Sequence, residues 1–290
     1  MSIRFVLVPV YGMANDLAAL DTAAVTAKRF GAHVDVLHVR RNPNEAVPIV
    51  GEGLSGPMVE EIIKAAEKDS TSRAQSARKA YDSWRARCGL THVESASSHT
   101  GDTCSWREVV GRPETIVPRA ARFADLVIAS RPSDELDVTQ PVTLEATIFG
   151  SGRPIMLAPA KPPTSFPSVI AIAWNGSTET ALTVALAMPF LTQASQVVVI
   201  AVGPQHMPEP GPSGEELVRS LEGHGLSVSL RTAVGRQKPQ GESFLKEAVA
   251  AGADLLLKGA YTQSRIRQMI FGGATRHIIM EARIPVIMAR

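Results

Sequence analysis

The chain has 290 residues, 44% hydrophobic and 20% charged, with a mean hydropathy of +0.04. That length suits two domains with cores of their own, and the composition is far from that of a disordered chain. A net charge of +2, with Lys and Arg spread along the chain, argues against nucleic acid as the main partner, and no apolar run approaches the roughly 18 residues of a membrane span.

The opening MSIRFVLVPVYG is too short and too interrupted by proline for a secretion signal, so a cytoplasmic protein is expected. Cys88 and Cys104 lack metal-ligand spacing and read as free thiols. Seven histidines include no pair four apart, and no metal site is expected.

In chain order, FVLVPVYG (Phe5 to Gly12) is an apolar run ending in a turn, followed by the helical pattern NDLAALDTAAVTAKRFGA and a second strand, HVDVLHV. Val59 to Arg87 predicts a long helix with Gly89 as its stop, and a further helix starts near Pro113. AARFADLVIAS (Ala120 to Ser130) feeds a fourth strand, and GRPIMLAPA (Gly152 to Ala160) closes the first plan.

After AKPPTSFPS, whose three prolines suit a stiff, exposed connector, the plan begins again about 165 residues on. VIAIAWNGS (Val169 to Ser177) is its first strand, TETALTVALAMPFLTQA its helix and QVVVIAV its second strand. AVAAGADLLLKG (Ala248 to Gly259) aligns with AARFADLVIAS, setting Ser130 opposite Gly259, and ARIPVIMAR (Ala282 to Arg290) closes the chain.

The expected fold is α/β, with two tandem doubly wound, Rossmann-like domains, each on a five-stranded parallel sheet. Their bounds are residues 1–160 and 169–290, joined by a linker at 161–168. Ligands of such sheets bind beyond the strands' carboxyl ends where strand order reverses, which directs attention to the loops after Val10, Ala129, Ala173 and Lys258.

The last of these loops is the richest. Gly259 ends a strand, and Gly272 and Gly273 precede the helical pattern ATRHIIMEA, whose unpaired first-turn N–H groups suit phosphate. Thr275 and Arg276 add donors, and Tyr261 offers a ring with a hydrogen-bonding tip. The competing reading is a plain tight turn, with Thr275 as an N-cap. Trp106 and Trp174 offer faces for a base, although tryptophans at such places are more often core.

These residues resemble the universal stress protein family in its tandem, two-domain form, whose fold is also described as adenine nucleotide alpha hydrolase-like. Nucleotide-binding members carry Gly-x2-Gly-x9-Gly-Ser/Thr after the fourth strand. Gly259 and Gly272 match the first and third glycines, while Thr262 replaces the second, Gly273 replaces the Ser/Thr, and Thr275 matches a later hydroxyl. The family's strand-one Asp corresponds here to Asn175, which still hydrogen-bonds a purine edge but brings no charge.

The resemblance implies a stress-response binding and signalling protein whose second domain binds ATP or another adenine nucleotide, with or without Mg. The phosphates would lie on Gly272, Gly273, Ala274 and Thr275, beside Lys258, Gly259 and Thr262, and the base near Ala173, Trp174, Asn175, Ala201 and Val202. No catalytic residue is evident, so hydrolysis would be weak at most. The first half carries Tyr11 at the Asp position and Asp134, Glu135 and Asp137 where phosphate would sit, so it is expected to bind no nucleotide. Domains of the family pair through their last strands, which implies a pseudo-dimer within the chain and allows a homodimer beyond it. The alternative is an interaction or scaffold protein of the same fold that binds no nucleotide.

Overall fold

A computed structural model of the chain describes residues 2–46, 55–94, 101–132, 139–201, 211–232, 240–260 and 273–290. In the first half the described elements are β1 (Phe5–Val10), α1 (Asp16–Phe30), β2 (His33–Arg40), a 3-10 turn (Pro43–Ala46), α2 (Gly56–Cys88), β3 (Thr91–His92), β4 (Thr103–Val110), α3 (Pro113–Ala121), β5 (Leu126–Ser130), α4 (Thr139–Gly150) and β6 (Ile155–Ala158). The second half has β7 (Val169–Trp174), α5 (Thr178–Leu186), α6 (Met188–Leu191), β8 (Gln196–Ala201), α7 (Gly214–Gly223), β9 (Val228–Thr232), α8 (Gln240–Ala250), β10 (Leu255–Leu257), α9 (Gly273–Glu281) and β11 (Val286–Met288).

Helix ends follow local chemistry. Gly31 and Gly89 take φ of +62° and +68° and close α1 and α2 with their backbone N–H groups, a conformation that costs other residues strain. Ser213 and Glu216 form a reciprocal capping box at the start of α7. The helix expected across TETALTVALAMPFLTQA is instead two, separated by Ala187 at φ −90° and ψ 2°. Pro189 explains the break, since its ring cannot be accommodated against the preceding turn.

Among the described residues, all eleven strands join one sheet in the order β3-β4-β2-β1-β5-β6-β11-β10-β7-β8-β9. Strand order reverses where β1 pairs with β5 and where β7 pairs with β10, so both expected switch points are present. Pairing is parallel within each half, whereas β6 and β11 run antiparallel, with Met156 opposite Ile287. The first half adds one strand to the expected five, the two-residue β3, which lengthens the edge beside β4.

The two faces of this sheet bury two cores, each crossing from one half to the other. Val6, Val8, Val34, Tyr81 and Trp84 share one with Ile170, Ile172 and Phe190, while Leu7, Val117 and Ile148 share the other with Ile200, Phe244 and Ile279. Burial of each such side chain stabilises the fold by roughly 1.5–3 kcal/mol. The 161–168 segment is no bare spacer, because Phe166 lies stacked on Phe190 at 5.5 Å and edge-on to Phe30 at 5.4 Å.

The Ala-Asp-Leu repeat has a mechanical use. Asp125 accepts the backbone N–H groups of Arg4 and Phe5 at 2.8 and 3.0 Å, and Asp254 accepts those of Ser168 and Val169 at 2.9 and 3.0 Å. Each aspartate, just before a fourth strand, thus ties down the start of the first strand beside it. Among the described residues no helix is long and apolar enough to cross a membrane.

Candidate functional site

In the second half the chain leaves β7 through Asn175 and Gly176. Gly176 has φ +74°, and a Cβ there would approach Pro212 O to 3.3 Å, so turn and packing both favour glycine. Asn175 is buried, and its Oδ1 accepts from the hydroxyls of Ser177 at 2.8 Å and Thr180 at 2.7 Å and from Ser177 N at 3.3 Å. Ser177 in turn caps α5 by accepting from Thr180 N. The carboxamide oxygen is thereby committed to the turn, and the amide nitrogen is the part of Asn175 left to meet a ligand.

Trp174 offers no face for stacking on a base. Its side chain is buried in the core, and its indole N–H donates to Pro212 O at 2.9 Å. Ala173 is buried in the opposite core, and Ala201 is covered by α7, where a Cβ on Gly214 would come within 2.6 Å of the Ala201 Cβ. At these three positions it is the backbone that can face a ligand.

At the end of β10, Lys258 is buried and donates its ammonium to Gly259 O at 3.0 Å. Burial pushes its pKa down to about 8, opposed by the nearby carboxylate of Glu179. Gly259 touches α5 directly: a Cβ there would lie 2.5 Å from Thr180 N and 2.7 Å from Thr180 Oγ1. The absent side chain is a condition of this packing.

Helix α9 begins at Gly273, as the apolar spacing predicted. It runs against the parallel strands, so its first turn lies at their carboxyl edge, and the N–H groups of Gly273, Ala274 and Thr275 are among those an α-helix leaves unpaired. Thr275 is the third residue of α9 and is buried, so it is not the helix cap; Arg276 is exposed. Val202, Tyr261, Thr262, Gly272, Asp134, Glu135 and Asp137 lie outside the described residues.

The first half solves the same turn with different chemistry. Oδ2 of Asp16, a residue that sequence reasoning missed, accepts the backbone N–H groups of Tyr11, Gly12 and Met13 at 2.9, 2.7 and 3.0 Å. Burial nevertheless raises its pKa to about 6, because those bonds offset only part of the desolvation. The Ser130 hydroxyl faces the carboxyl but falls short of hydrogen-bond geometry, and Oδ1 is buried without a partner among the described residues. The signal was available in the repeat: the alignment that sets Ser130 opposite Gly259 also sets Asp16 opposite Thr180.

Helix α2 closes this turn from outside. A Cβ on Gly12 would fall 2.2 Å from Arg73 O, so backbone packs on backbone where the second half has α7 and the 211–212 segment. Beyond β5, Arg131 reaches across to the other half and donates to Ala282 O, just past the end of α9. The end of the first half's β5 is thus hydrogen-bonded to the far end of the helix that opens at the glycine pair.

The switch points, the doubly wound strand order and the turn glycines define an α/β class of protein whose ligands sit at carboxyl-end crevices. Among solved structures the chain is similar to a universal stress protein from Archaeoglobus fulgidus DSM 4304, with a TM-score of 0.65 and 14% identity, over 100% of this chain and 97% of that one. It is also similar to a proposed universal stress protein from Pseudomonas aeruginosa UCBPP-PA14, with a TM-score of 0.55 and 13% identity, over 99% of this chain and 93% of the other. A functionally unknown protein from Pseudomonas aeruginosa PAO1 gives a TM-score of 0.54 at 15% identity, over 99% and 92%. No family model and no curated protein sequence matches the chain. At these identities the likeness shows the fold, and that fold, along the whole chain, is the one seen in universal stress proteins.

Proposed function

We propose that the chain is a tandem universal stress protein that acts in the cytoplasm by binding and signalling. Residues 1–160 and 169–290 are its two domains, held as a pseudo-dimer through β6 and β11, and two chains can associate further. The second domain takes an adenine nucleotide, ATP foremost, between the ends of β7 and β10. The observation that supports this reading is the start of α9 at Gly273, since the first N–H groups of an α-helix have no partner within it and suit phosphate. The Asn175 amide nitrogen suits a purine ring nitrogen, and any Mg would be held by the phosphates and water.

A second reading is favoured by a specific observation. Gly259 and Asn175 each have a packing role that needs no ligand, as expected of an interaction protein that keeps the fold without the nucleotide. Extraction of small molecules from the purified protein, with calorimetric titration of ATP into wild type and Gly272→Val, separates the two. Saturable heat in the wild type that the variant lacks supports nucleotide binding. No extracted nucleotide and no heat would leave the scaffold reading standing.

A further inference from the structure

Among the described residues the sheet's first-half edge is left open over most of its length. Strand β4 runs from Thr103 to Val110, but β3 beside it is only Thr91–His92, and it is joined through Thr91 N to Asp102 O and Val93 N to Cys104 O, each at 2.9 Å. Those bonds show that the even-numbered residues of β4 turn their N–H and C=O groups outward, since successive residues of a strand alternate. The odd-numbered ones face β2, as Gly111 N does in bonding to Arg40 O. Trp106, Glu108 and Val110 therefore present outward N–H and C=O groups that are bonded to no other described residue.

A groove of about 960 Å³ adjoins this edge on the sheet face beside α3. Val109 of β4 contributes to one side of it, and α3 with the residues just after it to the other, through Ile116 and Phe123. Phe123 is 87% exposed, and Val109 and Val110 are 38% and 62% exposed. A phenylalanine so bare at a groove, together with two valines of an open edge, is apolar surface of the kind that marks an interaction site. The lining reaches no further than Leu7 along β1 and Asp35 along β2, so the groove is separate from the carboxyl-end crevices.

The charges of the groove are the separate observation that indicates its occupant. Its two carboxylates are engaged: Asp35 holds Arg107, and Glu94 lies 3.6 Å from His92. Two further arginines of the lining, Arg119 and Arg122, form no ion pair among the described residues. Arg122 spends only its Nε, on Gly150 O at 3.1 Å. These two guanidinium groups are therefore left to meet acceptors from outside.

We infer that β4 and this groove dock an extended, acidic segment of a partner protein, added to the sheet as a further strand. Main-chain bonds to Trp106, Glu108 and Val110 supply the pairing, and alternate side chains of the segment enter the groove. Aliphatic ones cover Val109 and Phe123, and carboxylates meet Arg119 and Arg122. A second copy of this chain fits less well. Its other free edge, β9, reads VSLRT and carries no carboxylate, and the one carboxylate of β4, Glu108, is on the face away from the groove.

Calorimetry and amide hydrogen exchange with a capped heptapeptide of alternating Val and Glu, set against one of alternating Val and Lys, test the assignment. The Val-Glu peptide should bind saturably and slow exchange at Trp106, Glu108 and Val110, with the Val-Lys peptide weaker by about tenfold or more. Glu108→Pro removes one outward N–H, keeps the bonds to β2 and sits on an edge, where proline is tolerated. With its folding checked by circular dichroism, it should weaken the Val-Glu peptide by about tenfold or more. Arg119→Gln, at an exposed side chain, should weaken it by about fivefold. The proposal is overturned by absence of saturable binding, by equal affinity for the Val-Lys peptide, by unchanged affinity in folded Glu108→Pro, or by protection confined to other residues. Self-association of the chain that Glu108→Pro abolishes would also overturn it, by placing a second copy on the edge.

Discussion

Gly259 and Thr180 meet without room for a side chain between them: a Cβ on the glycine would stand 2.5 Å from the threonine's backbone nitrogen. The first motif glycine therefore does structural work at the crossing of β10 and α5 whether or not a phosphate lies beyond it. In the first half the same crossing is made by Asp16 and Ser130, and the extra Oγ is accommodated beside a carboxyl that has turned toward the backbone of Tyr11 to Met13.

Replacing Gly259 by Ala should destabilise the protein by about 1–3 kcal/mol through overpacking against backbone that cannot yield. A shift of the urea midpoint with an unchanged slope would register this. An unshifted midpoint together with lost ATP binding would reassign the glycine to the ligand.

Asp16 should make stability fall as pH rises. Its folded pKa is raised from 3.8 to about 6, so between those values the folded form holds a proton that the unfolded chain has released. The contribution is complete below about pH 4 and lost once pH passes about 6, and amounts to ~3 kcal/mol. Asp16→Asn keeps an oxygen for the three N–H groups and cannot ionise, so denaturation curves across that window should lose their slope. A variant retaining the full slope would refute the assignment.

Lys258 should act in the alkaline range with the opposite slope. Its folded pKa is lowered from 10.5 to about 8, so the folded form releases its proton first, and stability climbs as pH rises from about 8 to 10.5. The burial cost at neutral pH is ~3 kcal/mol. Lys258→Met should raise the neutral-pH stability and flatten the alkaline rise, as read from unfolding midpoints at pH 7 and pH 10.

Asp125 and Asp254 each hold two backbone N–H groups at the start of a first strand. Asp254→Ala should cost about 1–3 kcal/mol and speed amide hydrogen exchange at Ser168 and Val169, with Asp125→Ala doing the same at Arg4 and Phe5. Protection that survives substitution would show that strand pairing alone holds these ends.

Much of this was legible in the sequence where the signal is local. The apolar runs at Phe5–Val10 and Val169–Trp174, the long helix ending at Gly89 and the start of α9 at Gly273 follow from periodicity and from glycine's conformational freedom. Pro189 also marked a break that the helical pattern around it concealed. The aligned repeat carried the order of both switch points, because parallel strands joined by helices have few permitted arrangements.

The site was less legible, since a residue's role there depends on what approaches from elsewhere in the chain. The sequence offers Asn175 as a purine contact, yet its oxygen is held by Ser177 and Thr180, and Trp174 is buried in the core. The linker's prolines were visible, but not the seat of Phe166 between Phe30 and Phe190. His38 lies in the core, where only the fold brings its ring to Val10 O and alongside Trp106.

By itself, then, the amino-acid order determined the strands, the helices, their repetition and the crevices where a ligand could enter, all of which rest on spacing within a few residues. Tertiary structure decided which side chains remain free to act there. Packing of α5 on Gly259 and of α2 on Gly12 consumes space, and burial of Asp16, His38 and Lys258 changes the balance between charged and neutral forms. Both effects depend on contacts between segments far apart in the chain, which no local pattern encodes.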